Sequence, residues 1–269
     1  RGEQLDALRP AQLFAGVERR LGLGGWIPWW RSAGAAPGFG AELIVIGCHL
    51  DSTAQGSSGF NPTTSPAPGA DDDGSGVACT LAAARELASL GGLLTHTLRF
   101  CFFNAEEQGL LGSAAYANHL KSTGAPVKAA ICVDMAGYDV QGGHSFEIHA
   151  GALDPAVRDA SVLVAQTIAR WAADVTSLAP AQIYRGTSSA EQPDRNLYDP
   201  AIGRADHASF QAQGWPAVVI SEDFFVNQPG EEAPEPNPNY HRFTDTAVNA
   251  AYVADIARTI TRAAEELAS

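Results

Sequence analysis

The chain has no apolar stretch near the roughly 18 residues needed to cross a bilayer, and its longest apolar runs are strand-length. A membrane span is excluded and a soluble protein expected. Positive charge is scarce: 17 Lys and Arg stand against 30 Asp and Glu, a formal net charge of −13. That balance disfavours a phosphate backbone or an anionic membrane surface, so nucleic acid is an unsuitable partner. Only 4 cysteines occur. Cys48, Cys101 and Cys132 lie in apolar strand runs and Cys79 in a helical run, where a buried, inert thiol is the expected role. A disulfide between neighbouring strands would need Cα atoms about 4.4–6.8 Å apart. The chain opens on Arg1 with no apolar leader, as a processed or trimmed chain does.

What is present is a single large core. With 45% hydrophobic residues in 269, the whole chain 1–269 reads as one domain, with residues 1–40 as an atypical N-terminal segment. Asp6 to Leu21 is weakly helical, and Gly22 to Gly40 is loop-like, with Trp26, Trp29 and Trp30 in packing roles. From Leu43 strands and helices alternate: strand 43–48, helix 74–90, strand 97–104, helix 109–122, strand 127–133. This is the pattern of parallel strands with crossover helices. Val77, Leu81, Ala84 and Leu87 form the expected inner stripe of the first helix. In the helix Pro155 to Val175 the expected inner face is Val157, Leu163, Val164, Ile168 and Trp171. Residues 181–204 read as irregular, Asp206 to Gln213 as helix, Ala217 to Ser221 as strand and 226–240 as a Pro-rich excursion. A closing helix from Thr244 or Asp245 to about Leu267 carries Val248, Tyr252, Val253, Ile256 and Ile260 at helical spacing. The Ser/Gly/Pro/Thr-rich stretch between Asp51 and Asp71 is longer than most connections and reads as functional or mobile.

Six side chains able to bind metal sit where this alternation makes them interesting. His49 follows the strand 43–48, Glu106 and Glu107 follow 98–104, and Asp134 follows 129–133. Asp72 lies in an Asp triplet at a helix start, where carboxylates are favoured, and His241 follows the Pro-rich excursion. Carboxyl ends of strands in an open α/β sheet are where ligands bind. Taken singly, each residue has a plain explanation: a structural histidine, a solvated Glu pair, a turn or a helix cap. Their joint placement at one sheet edge favours a metal site. Imidazoles and carboxylates without a thiolate suit hard or borderline divalent ions such as zinc. If Asp72 bridges, His49 and Asp134 complete one ion and Glu107 and His241 the other. Two Zn²⁺ are then neutralised by Asp72, Glu107, Asp134 and a bridging hydroxide, which leaves Glu106 as a base. Asp51 is placed to accept the ring N–H of His49. Of the other histidines, His96, His119 and His144 are expected to be exposed and His149 structural.

These motifs, in order His-Leu-Asp-Ser (49–52), Pro-Gly-Ala-Asp-Asp-Asp-Gly-Ser-Gly (68–76), Asn-Ala-Glu-Glu-Gln-Gly-Leu-Leu-Gly-Ser (104–113), Asp-Met-Ala-Gly-Tyr (134–138), Asp-His-Ala-Ser-Phe (206–210) and Tyr-His (240–241), resemble the M28 zinc aminopeptidases over residues 41 to 268. The resemblance implies a three-layer α/β/α sandwich with a mixed, mostly parallel sheet and two co-catalytic zinc ions on the ligands just assigned. It implies that Asp72 bridges with a cis peptide after it, that Glu106 is the general base, and that Tyr240 hydrogen-bonds the tetrahedral oxyanion. The substrate is then a peptide with a free N-terminus, its amine near Glu106, Asp134 and the backbone at Arg204. Met135, Ile220 and Phe224 match the apolar pocket for the first residue. A monomer, secreted or periplasmic, goes with that family. The chain departs from the pattern in longer segments at 52–69 and 185–204 and in lacking a cysteine pair near Asp206. Arg242 either meets the carboxylate of short peptides or balances the acidic charge. Three alternatives share the fold: a carboxypeptidase, for which Arg185, Arg195, Arg204 and Arg242 are the scattered candidates, a one-zinc glutaminyl cyclase, and a non-catalytic binding relative.

Overall fold

The computed structural model describes residues 14–15, 31–33, 42–140, 143–175, 177–187, 198–224 and 237–269. In chain order the elements are β1 (Phe14–Ala15), β2 (Arg31–Ala33), β3 (Leu43–His49), α1 (Gly74–Leu87) with a 3-10 turn (Ala88–Leu93), β4 (Thr97–Phe103), α2 (Leu111–Ser122), β5 (Val127–Val133), β6 (Phe146–His149), α3 (Pro155–Val175), β7 (Gln182–Tyr184), α4 (His207–Gln211), β8 (Ala217–Glu222) and α5 (Ala250–Ala268). The strands form one sheet in the order β1-β4-β3-β5-β8-β6-β7, with β2 also paired to β4. β4, β3, β5 and β8 run parallel. β6 is antiparallel to β8 and parallel to β7, while β1 and β2 are antiparallel to β4. The expected mixed, mostly parallel sheet between helical layers is therefore what forms.

The central strands are buried on both faces, which is why they read as continuous apolar runs rather than alternating ones. Their side chains still alternate. Ile44, Ile46 and Cys48 of β3, Phe100 and Phe102 of β4, and Val218 and Ile220 of β8 join α1, α3 and α5 in one core layer. Leu43, Val45, Phe103, Cys132 and Val219 join Tyr116, Leu120 and Phe210 of α2 and α4 in the other. All four cysteines are buried free thiols. Burial pushes the Cys101 thiol up to about 12 and the other three upward as well, so none is a thiolate.

Several expectations are corrected. In α1 the buried residues are Ser75, Gly76, Cys79, Thr80, Ala83 and Leu87, whereas Leu81 is exposed. The helix is wedged between the sheet and α5, and small residues permit that approach. In α3, Leu163 faces solvent and Val162 and Ala165 are buried instead. The closing helix starts at Ala250, capped by the Asn249 carboxamide, which accepts the Ala251 and Tyr252 N–H groups. Asp245, expected at its start, is used elsewhere, and Val248 precedes the helix. The apolar run at His149 is strand β6, and residues 182–184 of the supposedly irregular stretch form β7. His96 is half-buried, and His144, also half-buried, pairs with Asp139 at 2.7 Å. The helix expected over 6–21 lies outside the described residues except at Phe14–Ala15, which is strand. Trp26, Trp29, Trp30, Arg195 and most of the Pro-rich excursion also lie outside them. Among the described residues no helix is long and apolar enough to cross a membrane.

Candidate metal centre

The carboxyl ends of β3, β4 and β5 deliver His49, Glu106 with Glu107, and Asp134 to one edge of the sheet. Asp73 organises this edge. One of its oxygens accepts the His49 N–H at 3.0 Å, and the other accepts Gly76 N–H at 3.0 Å, capping α1, and Met135 N–H at 3.3 Å. A single carboxylate thus ties the ends of two strands to a helix start, and the peptide bond between Asp72 and Asp73 is cis. Asp245 accepts the Asp71 and Asp72 N–H groups at 2.9 and 3.1 Å, fixing the triplet from the other side.

Two ligand sets result. His49 Nε2 lies 3.2 Å from Asp72 Oδ1 and 3.5 Å from Asp134 Oδ1. His241 Nε2 lies 3.1 Å from Asp72 Oδ2 and 3.1 Å from Glu107 Oε2. Each set brings three donor atoms within 4.8 Å of one another, and Asp72 is common to both. Its two oxygens point to different imidazoles, as a bridging carboxylate requires. His49 Nδ1 is 2.9 Å from the Asp51 carbonyl oxygen, so Nδ1 carries the hydrogen and Nε2 is left for the cluster.

Here the role expected of Asp51 is corrected. Its carboxylate is 3.8 Å from the His49 ring and accepts the backbone N–H groups of Glu106 (3.0 Å) and Glu107 (3.1 Å). The backbone carbonyl holds the imidazole, while the side chain seats the Glu pair. Ile220 is also corrected. It is fully buried in the core layer of α3 and α5, and Val219 and Ser221 of the same strand line the cavity. A one-residue step along a strand exchanges faces.

The cavity beside the ligands has a volume of about 250 Å³. Met135, Leu110, Val219 and Phe224 give it apolar wall, Arg204 and Tyr240 contribute polar groups, and Gln55 enters from the loop after β3. Tyr240 stacks on the His241 ring with centroids 3.7 Å apart and packs against Phe224 at 4.8 Å. Ala105, Leu110, Met135 and His241 all have φ between +54° and +61°, the left-handed region that non-glycine residues avoid. Strained backbone of this kind concentrates at functional sites. Arg242 does not line the cavity, and its guanidinium donates to the Gly56 carbonyl at 2.7 Å.

Electrostatically the cluster collects protons. Burial lowers the His49 imidazole, but Asp73, Asp134 and Asp72 outweigh it and hold the group well above its usual value. Burial likewise opposes protonation of His241, which Asp72 and Glu107 carry up to about 9. Asp72 is raised by burial and lowered further by the two imidazoles, to about 2. Burial, then the Asp134 charge, push Glu106 up to about 9. The protons on the imidazoles stand in for positive charge that the carboxylates demand, and divalent ions bind such ligands by displacing protons. Zinc fits this donor set: imidazole and carboxylate, three ligands per ion with one shared, and a Glu107 Oε1 that is buried without a hydrogen-bond partner.

The described residues thus bring together all five expected ligands, with Glu106, Asp51, Tyr240, Met135, Arg204 and Phe224 around them. Asp73, Asp245 and Gln55 were not anticipated. In the sequence Asp73 reads as an ordinary turn or cap residue and Asp245 as a helix start, and only their long-range backbone contacts reveal them.

A profile of Peptidase family M28 matches residues 31–264, starting ten residues before the expected onset. Leucine aminopeptidase 1 of Arthroderma gypseum is 32% identical over 192 residues, 69% of this chain and 45% of that protein. The LapA aminopeptidase of Legionella pneumophila has a similar structure, with 25% identity and a TM-score of 0.62 over 85% of this chain and 52% of that one. The zinc aminopeptidase BSAP from Bacillus subtilis, 22% identical, shares the fold with a TM-score of 0.60 over 88% of this chain and 49% of that one. The chain spans about half the length of the curated relatives it matches. A profile match across most of the chain places it in peptidase family M28.

Proposed function

We propose that the protein is a two-zinc aminopeptidase that removes apolar N-terminal residues from peptides. The observation that supports this most is the pair of three-ligand sets sharing Asp72, whose two oxygens reach separate histidines. Zinc ions held by His49, Asp72 and Asp134 and by Asp72, Glu107 and His241 would bring the pKa of a water near ~7 and polarise the scissile carbonyl. Glu106 takes the proton from the attacking water and returns it to the leaving nitrogen, a transfer worth ~10²–10⁴ in rate. The Asp51 carboxylate holds that base in place through the Glu106 N–H. Tyr240 donates its hydroxyl to the developing oxyanion. The carboxylates of Glu106 and Asp134, with the backbone at Arg204, receive the substrate amine. Met135, Phe224, Leu110 and Val219 receive the first side chain. A cavity of about 250 Å³ is below the ~300–1,000 Å³ usual for ligand pockets, which suits a single residue.

The test is zinc per chain by elemental analysis, paired with hydrolysis of leucine p-nitroanilide before chelation, after it and after zinc return. Two zinc ions and restorable activity are expected. Cleavage of an N-acetylated peptide as fast as its free-amine counterpart would refute the aminopeptidase reading. One zinc would favour the cyclase chemistry instead.

A further inference from the structure

The loop after β3 is a strap fastened across the His241 segment. Its neck is closed by Ser52 Oγ donating to the Ala67 carbonyl at 2.8 Å, and the fully buried Ala54 accepts Ser57 N–H at 2.8 Å in a turn that carries Gln55 and Gly56 at its tip. The tip is bound to the ligand segment at three points. Gly56 N–H donates to the His241 carbonyl at 2.8 Å, Arg242 donates to the Gly56 carbonyl at 2.7 Å, and Phe243 N–H donates to Ser57 Oγ at 2.8 Å. The approach is close: a Cβ at Gly56 would meet the His241 carbonyl oxygen at 3.0 Å. Phe60 also packs near Phe243, with ring centroids 6.3 Å apart. This pinning brings the Gln55 carboxamide, through its Nε2, to 3.2 Å from His241 Nδ1, while Nε2 of the imidazole faces Asp72 and Glu107.

A ring whose Nε2 binds a cation keeps its hydrogen on Nδ1. A donor NH₂ opposite that N–H would be repulsive, so once Nδ1 carries the hydrogen the Gln55 amide is turned over, its oxygen taking the place of its Nε2; the two ends of a carboxamide have the same shape and are assigned by their hydrogen-bond network. We infer that Gln55 is a positioning residue: its amide oxygen accepts the Nδ1–H of His241 and so presents Nε2 to the ion shared with Asp72 and Glu107. The inference rests on the two-zinc reading. It assigns the strap a definite task. An exposed glutamine on an unfastened loop would be a mobile surface group, whereas the three fastenings fix this one against a ligand. It also gives Arg242 a role in the strap rather than at a peptide carboxylate.

The experiment is zinc competition against a chromogenic chelator on the intact chain, with wild type, Gln55→Leu and Gln55→Glu. Wild type is expected to bind two ions. In Gln55→Leu one ion should bind about 10–100-fold more weakly and the other as in wild type, the usual effect of losing a support behind a ligating histidine. Gln55→Glu, which keeps an acceptor at that place, should return to within a few-fold of wild type. Unchanged affinity for both ions in Gln55→Leu would overturn the inference, as would equal weakening in both variants, which would indicate packing alone. A wild-type chain binding fewer than two ions would refute the two-zinc reading and the inference with it.

Discussion

Two buried clusters in this molecule contain the same ingredients, histidine and two carboxylates, and end in different chemistry. At the sheet edge, one nitrogen of each imidazole faces two carboxylates: His49 Nε2 sees Asp72 and Asp134, and His241 Nε2 sees Asp72 and Glu107. On β6, the strand beside β8, His149 uses its two nitrogens for two partners, Nδ1 to Asp199 at 2.9 Å and Nε2 to Glu147 at 3.0 Å, and its ring stacks on Tyr184. The first arrangement converges three donors on one point beside a cavity. The second gives each ring nitrogen a carboxylate of its own on opposite sides of the ring, so the donors do not converge on one point. Burial lowers the His149 imidazole, but Asp199 and Glu147 carry it up to about 9, so it is a charged structural tie between β6 and the segment at 199. His207, fully buried close by, goes the other way, pushed down to about 4 by burial. Residue type therefore does not distinguish a metal site from a buried ion triad. The direction in which the nitrogens point does.

The sharpest way to break this comparison is to remove the residue shared by the two ligand sets. Asp72→Ala should lose both zinc ions and all measurable activity, while Asp199→Asn should keep full zinc content by elemental analysis. Loss of zinc in the Asp199 variant would erase the distinction. Next in size, Glu106→Gln should retain two zinc ions and lose ~10²–10⁴ in turnover, because the base and the ligands are separate groups. Wild-type turnover in that variant would remove Glu106 from the mechanism.

The structural triad makes a prediction about pH. His149 has a folded pKa of about 9 against a reference of 6.5. Its stabilising contribution is complete below the unfolded value and is lost as pH rises through the folded one. In zinc-loaded protein, denaturant unfolding should show stability falling between pH 7 and 9. Asp199→Asn should cost about 3–5 kcal/mol at pH 7, the usual consequence of breaking a buried pair, and should reduce that pH slope. A slope equal to wild type would mean the pair does not titrate as the geometry implies. The smallest effect is expected at Asp51→Asn. An asparagine offers one oxygen to two N–H groups, so one of Glu106 and Glu107 loses its acceptor, at about 1–3 kcal/mol. The measurement is the thermal midpoint together with kcat/KM, and no change in either would show that the Glu pair is held by other contacts.

Much of this was legible in the residues. Continuous apolar runs read as buried strands, and the polar residues just after them were bound to lie at one edge of a parallel sheet. The face of α1 was not legible, because its buried surface is made of Gly76, Cys79, Thr80 and Ala83 rather than of large apolar residues. β6 and β7 are too short to show a period. Asp245, which resembles a helix start, is drawn 173 and 174 positions back along the chain to hold the Asp72 and Asp71 N–H groups. Gln55 carries no signal at all in a loop rich in Ser, Gly, Pro and Thr.

Residue order alone settled the family, the alternation of strands and helices, and which side chains stand at strand ends, since these follow from local periodicity and from motifs of adjacent residues. Tertiary structure decided which oxygen of Asp72 meets which histidine, that Val219 and Ser221 rather than Ile220 face the cavity, that the Asp51 carbonyl rather than its carboxylate holds His49, and that the structural His149 is tied to Asp199 and Glu147. Those outcomes depend on the register of neighbouring strands and on loops brought together from distant parts of the chain, where a shift of one residue or a few ångströms changes the partner, and no local pattern of residue types records them.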